Sequence, residues 1–323
     1  MNIGNLVSLL YSFSEFGKNT FKKQLNAIPN SFPAFAYCSL KKARMPLALL
    51  TGMNFQETEL TGANLSRADL TGADLTGANL RMSDLHSSSI SMANLTGADL
   101  SMANLTGTQL TNTNLFGSDL SKSNLENADL MQTNLSKANL SYAKLTQTNL
   151  TGSNLTRADL VSSNLSNANL SKADLTQANL AQANLTKSNF TGAILSNANL
   201  LKDDLSEVIA TNTLIASTNF LRADLTEANL IDSDLTGSNL WGACLNGTKL
   251  TKAILSGVNL TKADLSDCDL TDANLSYANL KRANLTNTNL TQAILTGINI
   301  QKSHLNKIIG SPISEQDIKE RGG

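Results

Sequence analysis

The residues with the greatest potential for chemistry are two histidines and three cysteines in a chain of 323 residues. His86 and His304 are far apart in the sequence, so they do not indicate a shared catalytic centre. Cys38, Cys244 and Cys268 are widely spaced and odd in number, which favours neither a CxxC metal pair nor a disulfide framework. We predict no metal site, and we expect the thiols to be small buried or half-buried side chains.

Carboxylates and hydroxyls are plentiful, but they lack the arrangement that catalysis needs. Asp203 and Asp204 are adjacent, and neighbouring side chains of an extended chain point to opposite sides. The sequence contains no Gly-rich phosphate loop and no dinucleotide-binding fingerprint. We therefore predict that the protein is not an enzyme and that it uses no cofactor.

The composition excludes several broad classes of protein. The net charge is −1, only 16% of the residues are charged and 4% are aromatic. A near-neutral chain is not a generally basic nucleic-acid binder, so we predict no direct nucleic-acid contact. The few cysteines and the lack of a long apolar run predict a cytoplasmic protein, and we expect a bacterial one.

The strongest pattern is a five-residue repeat. Of the 51 positions spaced five apart from Phe55 to Leu305, 44 are Leu. A small residue stands two positions earlier, usually followed by Asn or Asp, as in Ala63-Asn64-Leu65. This period fits neither a helix nor a flat strand, but it fits a chain that turns a corner every five residues. Burying one Leu gains about 1.5–3 kcal/mol and ordering five residues costs about 5–10 kcal/mol, so the units must stack.

This A(D/N)LXX spacing resembles that of the pentapeptide-repeat family, over about four fifths of the chain. The resemblance implies an all-β fold, a right-handed four-sided parallel β-helix with four pentapeptides per coil. The Leu and the small residue would then face inward. Phe35, Leu40, Met45 and Leu50 occupy the same five-residue grid, so we place the β-helix at residues 33–308 and read 33–52 as a degenerate first coil.

Two short segments flank this β-helix. Residues 1–32 contain an amphipathic pattern with helical spacing, which predicts either a short helical cap over the open first coil or a helix on a membrane surface. Residues 309–323 form a short tail with little apolar surface. The sequence therefore predicts a monomer or a weak dimer.

Residues 203–215 depart from the repeat in several positions at once. Asp203 occupies an inward position for a small residue, and Ala210 replaces a Leu. An unpaired buried carboxylate is costly. We predict either a bulge that turns Asp203 outward or a loop that serves a partner.

If each coil holds 20 residues, positions 20 apart share a face. The face centred on residues 60, 80, 100 and so on, the basic face, carries eight basic and four acidic residues. The next face, centred on 65, 85, 105 and so on, the acidic face, carries nine acidic residues. Two outward apolar columns stand out as candidate partner-binding residues: Leu201, Leu221 and Trp241 with the adjacent Lys202 and Arg222, and Ile194, Leu214, Ile254 and Ile294. Each column is either a packing feature or a protein-binding patch.

These patterns predict a non-enzymatic interaction scaffold, a rigid rod that presents flat polar faces to a protein partner. The resemblance implies one alternative, because some pentapeptide-repeat proteins mimic duplex DNA and bind type II topoisomerases such as gyrase. A second alternative is a membrane- or host-cell-associated repeat protein that attaches through its N-terminal segment.

Overall fold

A computed structural model describes residues 35–310 of the chain. The chain divides into two compact units, Met1–Ala158 and Asp159–Gly323, called unit 1 and unit 2 here. Within residues 35–310 there is no helix and no strand longer than one residue; each pentapeptide contributes a single β-bridge residue followed by a two-residue turn.

Parallel bridges join each bridge residue to the residue 20 positions later. In unit 1 these pairs run from Ser39–Glu59 to Asn134–Asn154, and in unit 2 from Asp159–Asn179 to Asn289–Ile309. Each unit is therefore a parallel β-helix with four pentapeptides per coil, which confirms the predicted β-helix. Successive coils lie about 4.8 Å apart, the spacing of hydrogen-bonded strands.

Every side of the coil ends in a tight turn. After Leu60, for example, the amide N of Ala63 donates to the carbonyl O of Leu60 at 2.9 Å, and Gly62 between them has φ +66°. A positive φ at the third residue is typical of a type II turn. Glycine adopts this conformation without strain, whereas other residues there, such as Lys202 at φ 59°, carry a modest cost.

The Asn or Asp before each Leu closes the turn that follows. The Oδ1 atom of Asn64 accepts hydrogen bonds from the amide N of Ser66 at 3.0 Å and from its hydroxyl at 2.7 Å. The same arrangement recurs at Asp204 and Ser206. This contact explains why the repeat places Asn or Asp before the Leu and Ser or Thr after it.

The interior of each unit is filled by side chains. The Leu positions and the small positions two residues earlier are buried, apart from Cys38, Met53 and Leu305, which are half-buried near the ends of the described chain. Where the Leu is replaced by an aromatic residue, the rings fit the same column: Phe35 stacks on Phe55 with ring centroids 5.0 Å apart. The inward orientation predicted for both positions is confirmed, and chemistry is confined to the outer faces.

The N-terminal end of the described chain is a regular coil. Phe35, Leu40, Met45 and Leu50 are all buried, and residues 39–54 pair with the next coil through bridges such as Arg44–Asn64. The amphipathic segment predicted at 1–32 lies outside the described residues, as does nearly all of the predicted tail at 309–323.

The prediction for residues 203–215 is wrong in both of its forms. Asp203 is only 2% exposed and points inward, so no bulge turns it out. The bridges continue without a shift through Asp204, Ile209 and Leu214, so no loop interrupts the coil. The segment stays regular because the backbone ladder does not depend on which side chain occupies the inward position, and Ala210 leaves space on the neighbouring side of the same coil.

Candidate functional site

The two apolar columns and their neighbouring charges all lie in unit 2. Its basic face is centred on residues 160 to 300 in steps of 20 and is followed around the coil by the acidic face, centred on 165 to 305. A third face, centred on 170 to 290, comes next. The fourth, centred on 175 to 295 and called the isoleucine face, returns the chain to the basic face.

Charge is distributed unevenly over these four faces. In unit 2 the basic face carries six basic residues, Lys202, Arg222, Lys262, Lys281, Arg282 and Lys302, against Asp159 alone. The acidic face carries seven acidic and two basic residues, the third face three of each, and the isoleucine face only Asp174 and Asp234. The difference in charge between the basic and acidic faces, which the sequence shows, is therefore concentrated in unit 2.

Trp241 lies between two cations on the basic face. The guanidinium carbon of Arg222, in the coil before, lies 5.3 Å from the centre of the indole ring, and Nζ of Lys262, in the coil after, lies 4.9 Å from it. Arg222, Gly242 and Lys262 follow one another in one turn column. Gly242 has no side chain, so both cations reach towards the ring of Trp241 beside it. These contacts are cation–π interactions.

An asparagine ladder supports this column. The side-chain amide of Asn219 donates to Oδ1 of Asn199 at 2.9 Å, and that of Asn239 donates to Oδ1 of Asn219 at 3.3 Å. Oδ1 of Asn239 also accepts from the amide N of Trp241 at 3.3 Å. The backbone that carries Trp241 is thus fixed on a regular, hydrogen-bonded face.

Leu201, Leu221 and Trp241 are half-buried and follow one another along this face, while Lys202 and Arg222 are exposed. The structure therefore brings the first predicted column together as one patch. Sequence reasoning missed Lys262 as a member of it. Its spacing of 40 residues from Arg222 was the available signal, because two coils place it on the other side of Gly242.

The cations of the basic face form no ion pair with another described residue. Within residues 35–310 ion pairs join Lys41 to Glu59, His86 to Asp84 and Lys187 to Glu207, and none involves the six basic residues of this face in unit 2.

The second predicted column lies on the isoleucine face. The bridges place Ile194, Leu214, Ile254 and Ile294 in one line, with Asp234 and Asn274 between them. The four apolar side chains are 37%, 40%, 41% and 49% exposed, in that order. This column is therefore much more open to solvent than the half-buried patch around Trp241, and the two are separate surfaces on adjoining faces.

The buried titratable groups are not arranged for catalysis. Oδ1 of Asp203 accepts from the amide N of Ala183 at 3.1 Å, whereas Oδ2 has no partner within the described residues. Burial raises the pKa of Asp203 to about 8, although the backbone N–H groups of Ala183 and Gln182 oppose that rise. The carboxyl group is therefore largely protonated at neutral pH.

The three cysteines are free thiols. Cys268 is buried and its thiol donates to the carbonyl O of Leu245 at 2.9 Å, and burial raises its pKa to about 12. Cys38 and Cys244 are half-buried. The described residues contain no group of three or more His, Cys, Asp or Glu side chains placed to hold a metal ion. Residues 35–310 also include no helix that is long and apolar enough to cross a membrane.

Together these features define a β-helical repeat protein whose chemistry lies on flat outer faces. A family model described as pentapeptide repeats matches overlapping segments that cover residues 43–200 and 204–306. The chain belongs to the pentapeptide-repeat family, whose β-helix is right-handed. The match omits only 201–203 between its ends, the place where Asp203 enters the interior.

Several solved structures are similar to this chain. HetL, a pentapeptide repeat protein involved in heterocyst differentiation regulation from the cyanobacterium Nostoc sp. strain PCC 7120, is 28% identical over 82% of this chain and 97% of its own, with a TM-score of 0.24. QnrB1, a plasmid-mediated fluoroquinolone resistance protein, is 18% identical over 57% and 94%, with a TM-score of 0.30. No curated protein matches the chain.

Proposed function

We propose that the protein is a non-enzymatic interaction scaffold, which binds a protein partner through the patch formed by Leu201, Lys202, Leu221, Arg222 and Trp241. The observation that carries this proposal is the position of Trp241. The side chain is half-buried between Arg222 and Lys262, on a face whose cations form no ion pair with any other residue of the described range 35–310. Trp and Arg are the residue types most favoured as anchors of protein interfaces.

The charge of this face defines the kind of partner. Six basic residues against one acidic residue favour a protein surface rich in carboxylates. The ladder of backbone and asparagine hydrogen bonds holds the patch in place, so little ordering is needed when a partner binds.

Affinity capture from an extract of the native cell tests this proposal. A protein captured by the wild type should be lost with Trp241→Ser and with the pair Leu221→Ser and Arg222→Ser. A matched control is Phe116→Ser in unit 1, because Phe116 is also an exposed ring under a lysine, with Nζ of Lys137 at 5.3 Å. Capture that survives both patch variants would refute the assignment of this surface.

The cost of these changes to folding should be small. Trp241 is half-buried and makes two cation–π contacts of about 0.5–1 kcal/mol each, but it contributes no side chain to the interior, so Trp241→Ser should leave the β-helix folded. A melting temperature that falls by tens of degrees would favour the alternative in which the column is a packing feature.

The acidic face favours a second candidate, a mimic of duplex DNA that binds a type II topoisomerase such as gyrase. Asp204, Asp224 and Asp264 lie in one column and Glu207, Glu227 and Asp267 in another, over three coil steps or about 14 Å. Duplex DNA carries about eight charges over that length. Lys202, Arg222 and Lys262 stand beside these carboxylates and weaken the likeness, which is why this candidate ranks second.

Gyrase supercoiling assays test the second candidate. The wild type should inhibit supercoiling or protect the enzyme from inhibitors, and Asp224→Asn with Glu227→Gln should reduce that effect. Supercoiling that is unchanged by a large molar excess of the wild type would exclude it.

A further inference from the structure

The isoleucine column, formed by Ile194, Leu214, Ile254 and Ile294, lacks a hydrogen-bonding interaction that the repeat normally makes. At this position of the pentapeptide, Asn or Asp closes the following turn, as Asp234 does by accepting from the amide N of Thr236 at 2.9 Å and from its hydroxyl. Ile194, Leu214, Ile254 and Ile294 have no polar atom to accept these bonds. Their side chains are exposed, so burial in the monomer does not compensate for the loss.

From this column we infer that the isoleucine face of unit 2 is a contact surface for a second copy of the same chain. The inference deepens the proposed function by naming the occupant of the second surface, and it does not involve the patch around Trp241.

Charge singles out this face for contact with its own copy. Two basic faces in contact would bring six cations against six, and two acidic faces would bring together carboxylates. The isoleucine face of unit 2 has no cation and only Asp174 and Asp234. Two copies of it can therefore meet with little repulsion, and the charged faces remain free for another partner.

The spacing of the column also matches a second copy. One coil rises about 4.8 Å, and a partner can contact every coil only if its own side chains repeat at that distance. A parallel, in-register pairing sets each of the four apolar residues against the same residue of the second copy. It also sets Asn274 against Asn274, Asp234 against Asp234 and, at the first coil of the column, Asp174 against Asp174. An antiparallel pairing centred on Ile254 opposes Leu214 to Ile294 and Asp234 to Asn274, but it leaves Ile194 without an apolar counterpart, so only the parallel pairing opposes all four apolar residues to one another.

The expected contact is weak. Seven coils span about 30 Å, and one side with three extended residues at about 3.3 Å each is about 10 Å wide, so each copy contributes roughly 300 Å². Stable interfaces bury about 800 Å² per partner. We expect a reversible dimer that forms at high micromolar concentration. In the parallel arrangement the Asp234 pair is the least favourable contact of this dimer.

Sedimentation equilibrium of the full chain, from low micromolar to submillimolar concentration, tests this inference. The weight-average mass should rise towards that of a dimer. Ile254→Asn with Leu214→Asn restores the usual residue of the repeat, so the variant should fold, and it should weaken dimerisation at least tenfold. Ile209→Asn is the matched control, because Ile209 occupies the same position of its pentapeptide on the third face and is 45% exposed; it should leave dimerisation unchanged.

The register has its own test. Asp234→Asn should strengthen dimerisation, and added salt should strengthen it in the wild type by screening the facing carboxylates of Asp174 and Asp234. A wild type that stays monomeric at the highest concentration, or dimerisation insensitive to the Asn pair, would overturn the inference. Weaker dimerisation of Asp234→Asn would overturn the parallel register. Capture of a partner through Trp241 is measured separately, so failure here leaves the proposed function standing, and the reverse also holds.

Discussion

Nζ of Lys262 lies 4.9 Å from the centre of the Trp241 indole ring, although the two residues belong to different coils. Gly242, without a side chain, lies between Arg222 and Lys262 in a turn column that carries a cation at each remaining coil from Lys202 to Lys302, so the side chain of Lys262 has room beside the ring. Trp241 is the only Trp of the chain, so its fluorescence reports directly on a substitution that removes the charge of Lys262.

Lys262→Met should change the fluorescence of Trp241 and lower the free energy of unfolding by about 0.5–1 kcal/mol, the usual size of an exposed cation–π contact. Emission spectra and urea unfolding of the purified protein measure both effects. Lys252→Met is the matched control, because Lys252 occupies the same turn position on the third face with φ 58°. Equal effects of the two substitutions would contradict a specific contact with the ring.

Stability should fall as the pH rises because of Asp203. Its folded-state pKa is about 8 against an ordinary value of 3.8, so between these values the folded protein retains a proton that the unfolded chain has lost. The carboxyl group is neutral in both states below about pH 4, and about 5 kcal/mol of stability is lost by about pH 8. Urea unfolding at a series of pH values measures the slope.

Two variants separate this effect from other titrations. Asp203→Asn should remove most of the decline, and Asp204→Asn, its exposed neighbour in the sequence, should leave it in place. A wild-type profile that is flat between pH 4 and pH 8 would show that Asp203 is ionised in the fold.

Cys268 should react slowly with thiol reagents. The thiol is buried with a pKa of about 12, so the reactive thiolate is scarce at neutral pH. Labelling with a chromogenic disulfide should modify Cys38 and Cys244 first, and Cys268 only when the β-helix unfolds. Peptide mapping by mass spectrometry identifies each site, and early modification of Cys268 in the folded protein would be inconsistent with the structure.

The asparagine ladder should contribute measurably to stability. Asn219→Ala removes one donated and two accepted hydrogen bonds, to or from Asn199, Asn239 and the amide N of Leu221. We expect a loss of about 1–3 kcal/mol in chemical denaturation. Asn219→Asp keeps the acceptor and should cost less. If Ala and Asp are equally harmless, the ladder is not a source of stability.

Much of the fold was predictable because one rule repeats. The Leu and the small residue recur every five positions, and a coil that turns at that interval buries both, so the inward columns followed from the residues, whereas the pairing at 20 residues followed from the resemblance to the pentapeptide-repeat family. The sequence did not predict which hydrogen bonds the polar residues make, because the contact of Asn64 with Ser66 becomes visible only in the structure. Of the two predictions for residues 203–215, the bulge turned Asp203 outward because an unpaired buried carboxylate is costly; protonation reduces that cost, and the backbone ladder tolerates the inward side chain.

The candidate site was predictable in position but not in exposure. Spacing alone put Leu201, Leu221 and Trp241 in one line, yet only coordinates show that they are half-buried while the isoleucine column is open. That difference depends on side-chain direction at the turn, where a neighbouring glycine decides whether two cations can reach the ring.

The bridges that join each residue to the one 20 positions later constrain how such a gene can change in length. Losing a single pentapeptide would rotate every downstream column of a unit by a quarter turn and scatter its surface patches over the wrong sides. Gain or loss of a whole coil keeps each side chain where it was. Natural variants that keep the same binding surfaces should therefore differ in length by multiples of one 20-residue coil.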